Sequence, residues 1–261
     1  IEILRRKLPV TWWGNIRFEK TFSPDLCRLL SAAGLVAVTG GLEVASNRLL
    51  KLMQKGVSVE QVARAAASFQ DAGVLVHAYL MYGFPTQTVQ ETIDSMELVR
   101  QLFAQRLLNS AFWHRFVVTR HAPVFQNPNR FNIKIIPNPP QAFANNDLLH
   151  EDPSGGNHCL FDSPLPIALK SWMHGEELDR PVHTWFEQPM PKTTEPANRI
   201  EKALNKSESK ASHLLWIGGS VVENDDCIVL HTTDGSWEIE GSPKIRHWIK
   251  TTLELSSPQK P

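Results

Sequence analysis

The sequence predicts an α/β fold: a partial (β/α) barrel of parallel strands, incomplete at its N-terminus, followed by a loop-rich region and a small β-rich C-terminal domain. Two observations carry this prediction. Over residues 10–126, apolar runs typical of buried parallel strands alternate with amphipathic helical segments. Between residues 123 and 196 prolines and turn residues concentrate, and β-rich runs separated by glycine-containing turns come after them.

The first strand is predicted over residues 10–17, which are rich in β-forming residues. Ser23 and Pro24 then supply an N-cap and a first-turn proline for a helix. Gly34 stands where a left-handed C-cap would end that helix, and residues 35–39 form the second strand.

Two helices are predicted before the third strand. Ser46 can cap a short helix that Gly56 closes, and residues 58–61 have the spacing of a capping box that opens a second helix, which ends near Gly73.

The third strand is predicted over residues 74–82, a continuous apolar run. Residues 88–91 form another capping box, ahead of a helix that reaches about residue 106, and residues 111–119 form the fourth strand. Strands joined through helices in this way imply a parallel sheet with right-handed crossovers.

The second half is divided by composition. We predict a partial barrel over residues 1–126, a loop-rich and helical extension over 127–206, and a small α+β domain over 207–261. The predicted elements of these last two parts are helices over 166–174, 196–206 and 244–253 and β-rich stretches with glycine or Asp-Gly turns over 214–222, 227–235 and 236–241.

Composition excludes several classes of function. The 27 basic residues balance the 27 acidic ones, so there is no signal for nucleic acid or an anionic membrane surface. The three cysteines are widely separated and match neither a disulfide framework nor a zinc site, which favours a reducing cytoplasm. The most apolar stretch, residues 29–42, is too short and glycine-rich to span a bilayer, and no signal peptide is visible.

Polar and turn residues follow the predicted strands, where open α/β sheets bind their ligands. The residues at or just past these strand ends are Asn15, Arg17, Glu43, Tyr82, Gly83, Phe84, Pro85, Thr119 and Arg120. Structural alternatives stay open: Glu43 could accept hydrogen bonds from the amides of the helix that starts near Ser46, and Gly83 with Pro85 could be ordinary turn residues.

Three segments, GGLEVASNRLLKLMQKGVSVEQV, AGVLVHAYLMYGFPTQTVQET and WHRFVVTRHAPVF, together resemble the later strands of radical S-adenosylmethionine (SAM) enzymes. They are most similar to the group whose chains often carry a cobalamin-binding domain ahead of the radical domain. The resemblance covers residues 10–126 and, less specifically, parts of the C-terminal region. It implies a barrel that binds SAM beside an iron–sulfur cluster, which cleaves SAM reductively to a carbon radical.

The resemblance also implies roles for individual residues. Glu43 matches the residue that contacts the ribose or amino-acid part of SAM. Residues 82–85 match the strand end against which adenine lies, and residues 117–119 match the last strand, which also approaches adenine. The implied cofactor-binding residues are Asn15, Arg17, Glu43, Ser46, Tyr82, Gly83, Phe84, Pro85, Val118 and Thr119.

The sequence departs from this family at the cluster. The family holds its [4Fe–4S] cluster with a C-x-x-x-C-x-x-C loop, and no such loop occurs here. The expectation is that the cluster ligands precede Ile1, so that the chain is the C-terminal portion of a longer enzyme. No catalytic or metal-binding residue is assigned, and cobalamin is a further candidate cofactor. The implied partners are a small-molecule or peptide substrate and an electron donor for the cluster.

Two other functions compete with this interpretation. A degenerate, non-catalytic barrel could retain its rim for binding a nucleotide or a partner protein. A metal-dependent hydrolase could use His77, His114 and His121, although His77 is predicted in mid-strand, short of the rim. His150, His158, Cys159, His174 and His183 lack the spacing of a metal site.

Overall fold

The structure is a computed structural model that describes residues 1–136, 146–205, 220–232 and 235–255. The first part of the β-run predicted over 214–222, with Trp216, lies outside the described residues. So does part of the turn predicted between the last two strands.

The described elements follow the predicted order. The helices are α1 (Glu2–Arg5), α2 (Pro24–Ala32), α3 (Asn47–Leu52), α4 (Val59–Asp71), α5 (Val89–Ala104), α6 (Pro123–Gln126), α7 (Pro164–Met173), α8 (Arg199–Asn205) and α9 (Pro243–Leu255). The strands are β1 (Trp12–Ile16), β2 (Leu35–Glu43), β3 (Leu75–Tyr82), β4 (Ser110–Arg115), β5 (Val118–Thr119), β6 (Lys134–Ile136), β7 (Asp147–Glu151), β8 (Ser220–Glu223), β9 (Cys227–Thr232) and β10 (Gly235–Glu240). Short 3₁₀ turns cover Pro128–Phe131, His158–Phe161 and Val182–Trp185.

The first four strands form one parallel sheet in the order β1-β2-β3-β4. Helices connect each strand to the next, which is the arrangement of a partial (β/α) barrel. The predicted parallel α/β fold is therefore confirmed. Two antiparallel three-stranded sheets follow, β5-β7-β6 and β10-β9-β8.

The predicted helix starts agree with the structure because capping is a local interaction. Ser23, Ser46 and Ser58 each accept a hydrogen bond from an amide in the first turn of the helix they cap. Thr88 and Glu91 form the reciprocal capping box. At Ser58 only the first half of the box forms, since the partner side chain, Gln61, donates to the Phe18 carbonyl at 2.8 Å.

Two strand predictions are corrected by the structure. The second strand does not stop at Thr39 but runs on to Glu43. The fourth strand is not continuous over 111–119, because β4 ends at Arg115 and β5 joins a different sheet by pairing antiparallel with β7. Between them the ring of Phe116 turns away to pack edge-on against Phe84, with centroids 5.1 Å apart.

One face of the parallel sheet is buried under helices. Val38, Val76 and Ala78 on this face pack in the same core as Phe69 of α4. Residues of the second half enter that core too: Phe161, Leu165, Ala168, Leu169, Trp172, Val182 and Ile200. The extension over 127–206 thus shares a core with the sheet, while its division from residues 1–126 as a domain stays a prediction.

The opposite face of the sheet carries exposed apolar side chains. Leu75, Tyr79 and Phe112 alternate with the buried positions of β3 and β4, and Trp13 does so on β1. We call this surface the open face, and in a complete barrel it would line the interior.

The small C-terminal unit consists of β8–β10 and α9. Trp237 of this unit is 60% exposed, whereas Trp172 of α7 is buried. Among the residues that the structure describes, no helix has the length and hydropathy needed to cross a membrane.

An ion pair joins the extension to α4, and it predicts a specific acid sensitivity. Arg199 donates to the Glu60 carboxylate at 2.7 Å. Burial acts to raise the pKa of Glu60, but the hydrogen bonds from Arg199 and Asn47 outweigh it and lower the pKa from 4.5 to about 2. A depressed pKa contributes stability above pH 4.5 that is lost as pH falls towards 2.

We expect Glu60→Gln to remove this acid-labile contribution, about 1–2 kcal/mol after allowance for solvent screening. The measurement is the free energy of unfolding by urea between pH 5 and 2.5. Glu151→Gln, which changes an exposed carboxylate in a long 3.9 Å pair, is the control and should leave the acid limb unchanged. If the free energy of unfolding fell by the same amount between pH 5 and 2.5 in wild type and in Glu60→Gln, the prediction would be contradicted.

Candidate functional site

Glu43 is the last residue of β2 and stands at a β-bulge opposite β3. Its backbone is left-handed, with φ of +60°, which is a costly conformation for a residue other than glycine. The carboxylate folds back over Gly41, where even a Cβ would come within 2.4 Å of a carboxylate oxygen. The second glycine of the GGLE segment leaves room for the Glu43 carboxylate in this position.

One cation pairs with this carboxylate, and a second is held at the loop that supplies the first. Lys55, in the loop between α3 and α4, places its Nζ 2.6 Å from Glu43 Oε1. The Arg17 guanidinium donates to the backbone carbonyl of Lys55, so it is held beside the same loop. Sequence analysis identified Arg17 and Glu43 but missed Lys55, because no pattern in the sequence points to a loop lysine that folds back from beyond α3.

The structural alternative for Glu43 does not describe the observed contacts. The first-turn amide of α3, on Leu49, is capped by the Ser46 hydroxyl at 3.4 Å. The Glu43 carboxylate instead pairs with Lys55. Ser46 is thus occupied as a helix cap.

Asn15 lies one strand away from Glu43. It is in register with Thr39 of β2, and its side chain is exposed on the same side of β1 as Trp13. Asn15, Arg17 and Glu43 therefore gather near the carboxyl ends of β1 and β2, where the open face meets the rim.

The residues predicted to receive adenine are arranged differently. Tyr82 is buried on the helix side of the sheet, and its hydroxyl donates to Asp162 Oδ1 at 2.7 Å. Burial, followed by this hydrogen bond, raises the pKa of the Tyr82 phenol. Phe84 and Pro85 are buried as well, with Phe84 in a second apolar cluster.

A loop of the second half covers this strand end. The His158 ring lies against Gly83, whose added Cβ would meet it at 3.4 Å. Asp152 accepts a hydrogen bond from the Thr86 amide at 2.7 Å, and the Gly156 amide donates to the Gln87 carbonyl at 2.8 Å. Sequence analysis missed this cover, because the contacts join residues that are about seventy positions apart in the chain.

The last two predicted residues lie away from the open face. Val118 is buried in the second apolar cluster, and Thr119 pairs with Asp147 in the sheet formed with β7. The structure therefore separates the predicted residues into two groups. Asn15, Arg17, Glu43 and Ser46 form the first, and Tyr82, Gly83, Phe84, Pro85, Val118 and Thr119 form the second.

The three cysteines differ in their surroundings. Cys27 is buried at α2, where desolvation raises its pKa to about 12. Cys227 is buried in the C-terminal unit with its thiol donating to Glu238 at 2.9 Å, and Cys159 is exposed at the rim. No three histidine, cysteine or acidic side chains converge as metal ligands within the described ranges. The described residues of this chain do not fit a [4Fe–4S] cluster.

The hydrolase alternative requires histidines that converge on a metal ion. His77 shares a hydrogen bond with Ser110 at 2.8 Å and packs against Tyr79, which in turn contacts His114. His77, His114 and His121 do not form a metal-binding group in the part of the chain that the structure describes.

The sequence model of the Radical SAM superfamily matches residues 15–99. Two curated relatives match a similar stretch. The anaerobic magnesium-protoporphyrin IX monomethyl ester cyclase of Rubrivivax gelatinosus is 28% identical over 100 residues, 38% of this chain and 18% of that protein. An uncharacterized methyltransferase of Pyrococcus horikoshii is 24% identical over 102 residues, 39% of this chain and 22% of that protein. The chain thus spans about a fifth of the length of these relatives.

Solved structures of the radical SAM methyltransferase TsrM from Kitasatospora setae are also similar. The form with cobalamin and a [4Fe–4S] cluster bound gives a TM-score of 0.47 at 14% identity, over 66% of this chain and 39% of that chain. The form with tryptophan and a SAM analogue bound gives 0.39 at 20% identity, over 45% and 23%.

The match to the superfamily model confirms the resemblance found in the sequence over residues 15–99, from β1 into α5.

Proposed function

We propose that this chain contributes SAM-binding strands to a radical SAM iron–sulfur enzyme. The observation that carries the proposal is the Glu43 carboxylate, held at the end of β2 in a left-handed conformation. This conformation costs about 1–3 kcal/mol. Six other non-glycine residues of the described chain share it, so the support comes from its combination with a carboxylate at the end of a strand, beside Lys55. A residue retained only for packing would be better served by glycine at this position.

The surroundings of Glu43 suit the chemistry of SAM. The ammonium and the ribose hydroxyls of this ligand need an acceptor such as Glu43, and its carboxylate needs a guanidinium such as Arg17. The exposed rings of Tyr79 and Phe112 on the open face offer apolar contact for the remainder. Asn15 and Ser46 complete the proposed set at this end of the sheet.

The second group of predicted residues requires a revised role. We propose that Gly83, Phe84 and Pro85 have a structural role at the end of β3 and do not contact the cofactor with their side chains, because the loop over 152–162 covers this strand end. Tyr82, Val118 and Thr119 remain proposed contacts of the cofactor only through their backbone. The extension over 127–206 is proposed to close over a small-molecule or peptide substrate.

The iron–sulfur cluster, where present, supplies the electron that cleaves SAM. Since the cysteines of this chain do not converge, we propose that its thiolate ligands come from outside these 261 residues. An electron donor for the cluster and a contribution from cobalamin are further proposals that follow from the family resemblance. A cytoplasmic location is proposed from the cysteine content.

We expect Glu43→Gln to weaken binding of SAM about tenfold or more, because a charge-assisted hydrogen bond contributes about 1.5–3 kcal/mol. Titration calorimetry of the full chain with SAM measures the dissociation constant. Stability should change little, since the Lys55–Glu43 pair is partly exposed and such pairs contribute about 0–1 kcal/mol.

Two control variants make this test specific. Glu223→Gln breaks a similar glutamate–lysine pair in the C-terminal unit and should leave SAM binding unchanged. Glu43→Gly relieves the left-handed strain, so it should keep or raise stability while it abolishes the carboxylate contact. Equal SAM affinity in wild type, Glu43→Gln and Glu43→Gly would overturn the proposal.

The second candidate is a non-catalytic barrel that binds a nucleotide or a partner protein. The observation that favours it is the lack of convergent cysteines in this chain. Adenosine and ATP, titrated against the same variants, separate the two functions. Binding of ATP that is tighter than binding of SAM and insensitive to Glu43→Gln would support the second candidate.

A further inference from the structure

The Glu43 carboxylate already has a positive partner within the chain. Lys55 Nζ lies 2.6 Å from its Oε1, and only 16% of the Glu43 side chain is exposed. A carboxylate that has lost most of its contact with water is stabilised by a cation, since burial penalises an unpaired charge. Any ligand whose ammonium group is to bind Glu43 therefore meets a position that the lysine ammonium already holds.

The end of α3 places Lys55 beside this carboxylate. Gln54 is left-handed, with φ of +57°, and the Lys55 amide donates to the Leu50 carbonyl at 3.0 Å, as in a Schellman C-cap. The Arg17 guanidinium donates to the Lys55 carbonyl. The backbone of Lys55 is therefore held at both its amide and its carbonyl.

The side chain of Lys55 is held less firmly than its backbone. Among the residues that the structure describes, its ammonium makes a hydrogen bond and an ion pair with Glu43 alone. The side chain is 38% exposed, and a lysine ammonium is strongly hydrated and sits on a flexible stem. The lysine ammonium can therefore leave Glu43 for water while the backbone of the loop stays in place.

We propose that Lys55 is a specificity-determining residue, which selects ligands with an ammonium group by competing with them for Glu43. This inference rests on the proposed binding of SAM at Glu43. A ligand that carries an α-ammonium group replaces the lysine ammonium, so the carboxylate keeps a positive partner. A neutral nucleoside that displaced Lys55 would leave the carboxylate unpaired, so it gains no affinity from Glu43.

The exchange conserves the ion pairing of Glu43. The pair between Lys55 and Glu43 opens, the pair between the ligand ammonium and Glu43 forms, and the lysine ammonium returns to water. Arg17 keeps its place during the exchange, because it is bonded to the backbone carbonyl of Lys55 and not to its side chain. The ligand must therefore overcome only the strength of the Lys55–Glu43 pair.

Three ligands test this role by titration calorimetry with the full chain. SAM and S-adenosylhomocysteine carry the α-ammonium group, and 5′-methylthioadenosine lacks it. Lys55→Met removes the competitor, so the first two should bind about fivefold more tightly, the factor that corresponds to an ion pair of about 1 kcal/mol. The affinity for 5′-methylthioadenosine should not change. Because S-adenosylhomocysteine has no net charge, its gain cannot come from the loss of a general repulsion.

Further variants separate competition at Glu43 from other effects of the substitution. Lys55→Gln also removes the charge and should behave as Lys55→Met does, whereas Lys55→Arg keeps a cation and should bind no more tightly than wild type. Lys250→Met breaks a similar lysine–glutamate pair, 3.0 Å long, in the C-terminal unit and should change none of the three affinities. In a Glu43→Gln background Lys55→Met should have no effect, because the competitor acts only through this carboxylate.

The failure of this inference differs from the failure of the proposed function. If Lys55→Met bound SAM and S-adenosylhomocysteine no more tightly than wild type, or bound 5′-methylthioadenosine with an equal gain, the role of Lys55 would be overturned. Weaker binding in Lys55→Met would overturn it too, since Lys55 would then assist the ligand. In each case the proposed SAM site stands as long as Glu43→Gln weakens SAM binding. Equal SAM affinity in wild type and Glu43→Gln would overturn both proposals together.

Discussion

Trp172→Ala should lower the free energy of unfolding by about 3–5 kcal/mol, the range found when a large buried aromatic side chain is removed from a core. Trp172 is 2% exposed in α7, and its ring meets that of Trp185 edge-on at 6.3 Å. It packs in the same core as Trp113 of β4 and Leu102 of α5. Urea unfolding, followed by circular dichroism, measures the loss.

The control lies on the same helix. Ile167 is 55% exposed, so Ile167→Ala removes an apolar group from the outer face of the helix and should cost less than about 1 kcal/mol. Because Trp172 shares a core with the parallel sheet, we expect the loss to affect one cooperative transition. A loss confined to a separate transition, with the sheet unfolding as in wild type, would show that the extension over 127–206 folds independently.

Local features of the fold were predictable from the sequence. A cap such as Ser23 or Thr88 acts on amides within one turn of itself, so the signal and its target lie within a few positions. The same holds for the apolar run of β3, which is long enough to indicate a buried strand by itself. Helix starts and the parallel sheet could therefore be located without the structure.

Contacts between distant segments were not predictable. Nothing in the sequence of β3 or of α5 indicates that the loop carrying His158 packs on Gly83. The end of β4 at Arg115 was missed for a similar reason, because the residues after it remain apolar and favour a strand. Their pairing with β7 depends on a segment about thirty residues further along the chain.

The candidate site contains residues that the sequence could identify and residues that it could not. Glu43 could be identified because it follows an apolar run and a glycine pair, and the predicted parallel order brings Arg17 to the same edge. Lys55 could not, since its contact with Glu43 depends on how the loop after α3 folds back. The sequence also leaves unclear which glycine of the pair serves which neighbour, and the structure assigns Gly40 to the core and Gly41 to the carboxylate.

This assignment predicts a large effect at Gly40. Valine favours strands over glycine, so propensity alone would predict that Gly40→Val stabilises β2 by up to about 1 kcal/mol. A Cβ at Gly40, however, would lie 2.4 Å from Cε2 of Phe18, a ring with no exposed surface and no space to move into. Overpacking of this kind costs about 1–3 kcal/mol, and the full clash with a fixed ring places Gly40→Val at the upper end, so after the propensity gain we expect a net loss of about 2 kcal/mol in urea unfolding.

Two further variants distinguish a steric clash from a general intolerance of side chains in this sheet. Gly14 lies in the neighbouring strand, where a Cβ would meet its nearest neighbour, Trp12, at an ordinary 3.8 Å, so Gly14→Val should be neutral or stabilising. Phe18→Leu in the Gly40→Val background should recover part of the loss, because the smaller side chain leaves the clashing volume empty. If Gly40→Val were as stable as wild type, the close approach of Phe18 would not exist in the protein, and the reason for a glycine pair before Glu43 would have to be sought in the site instead of the core.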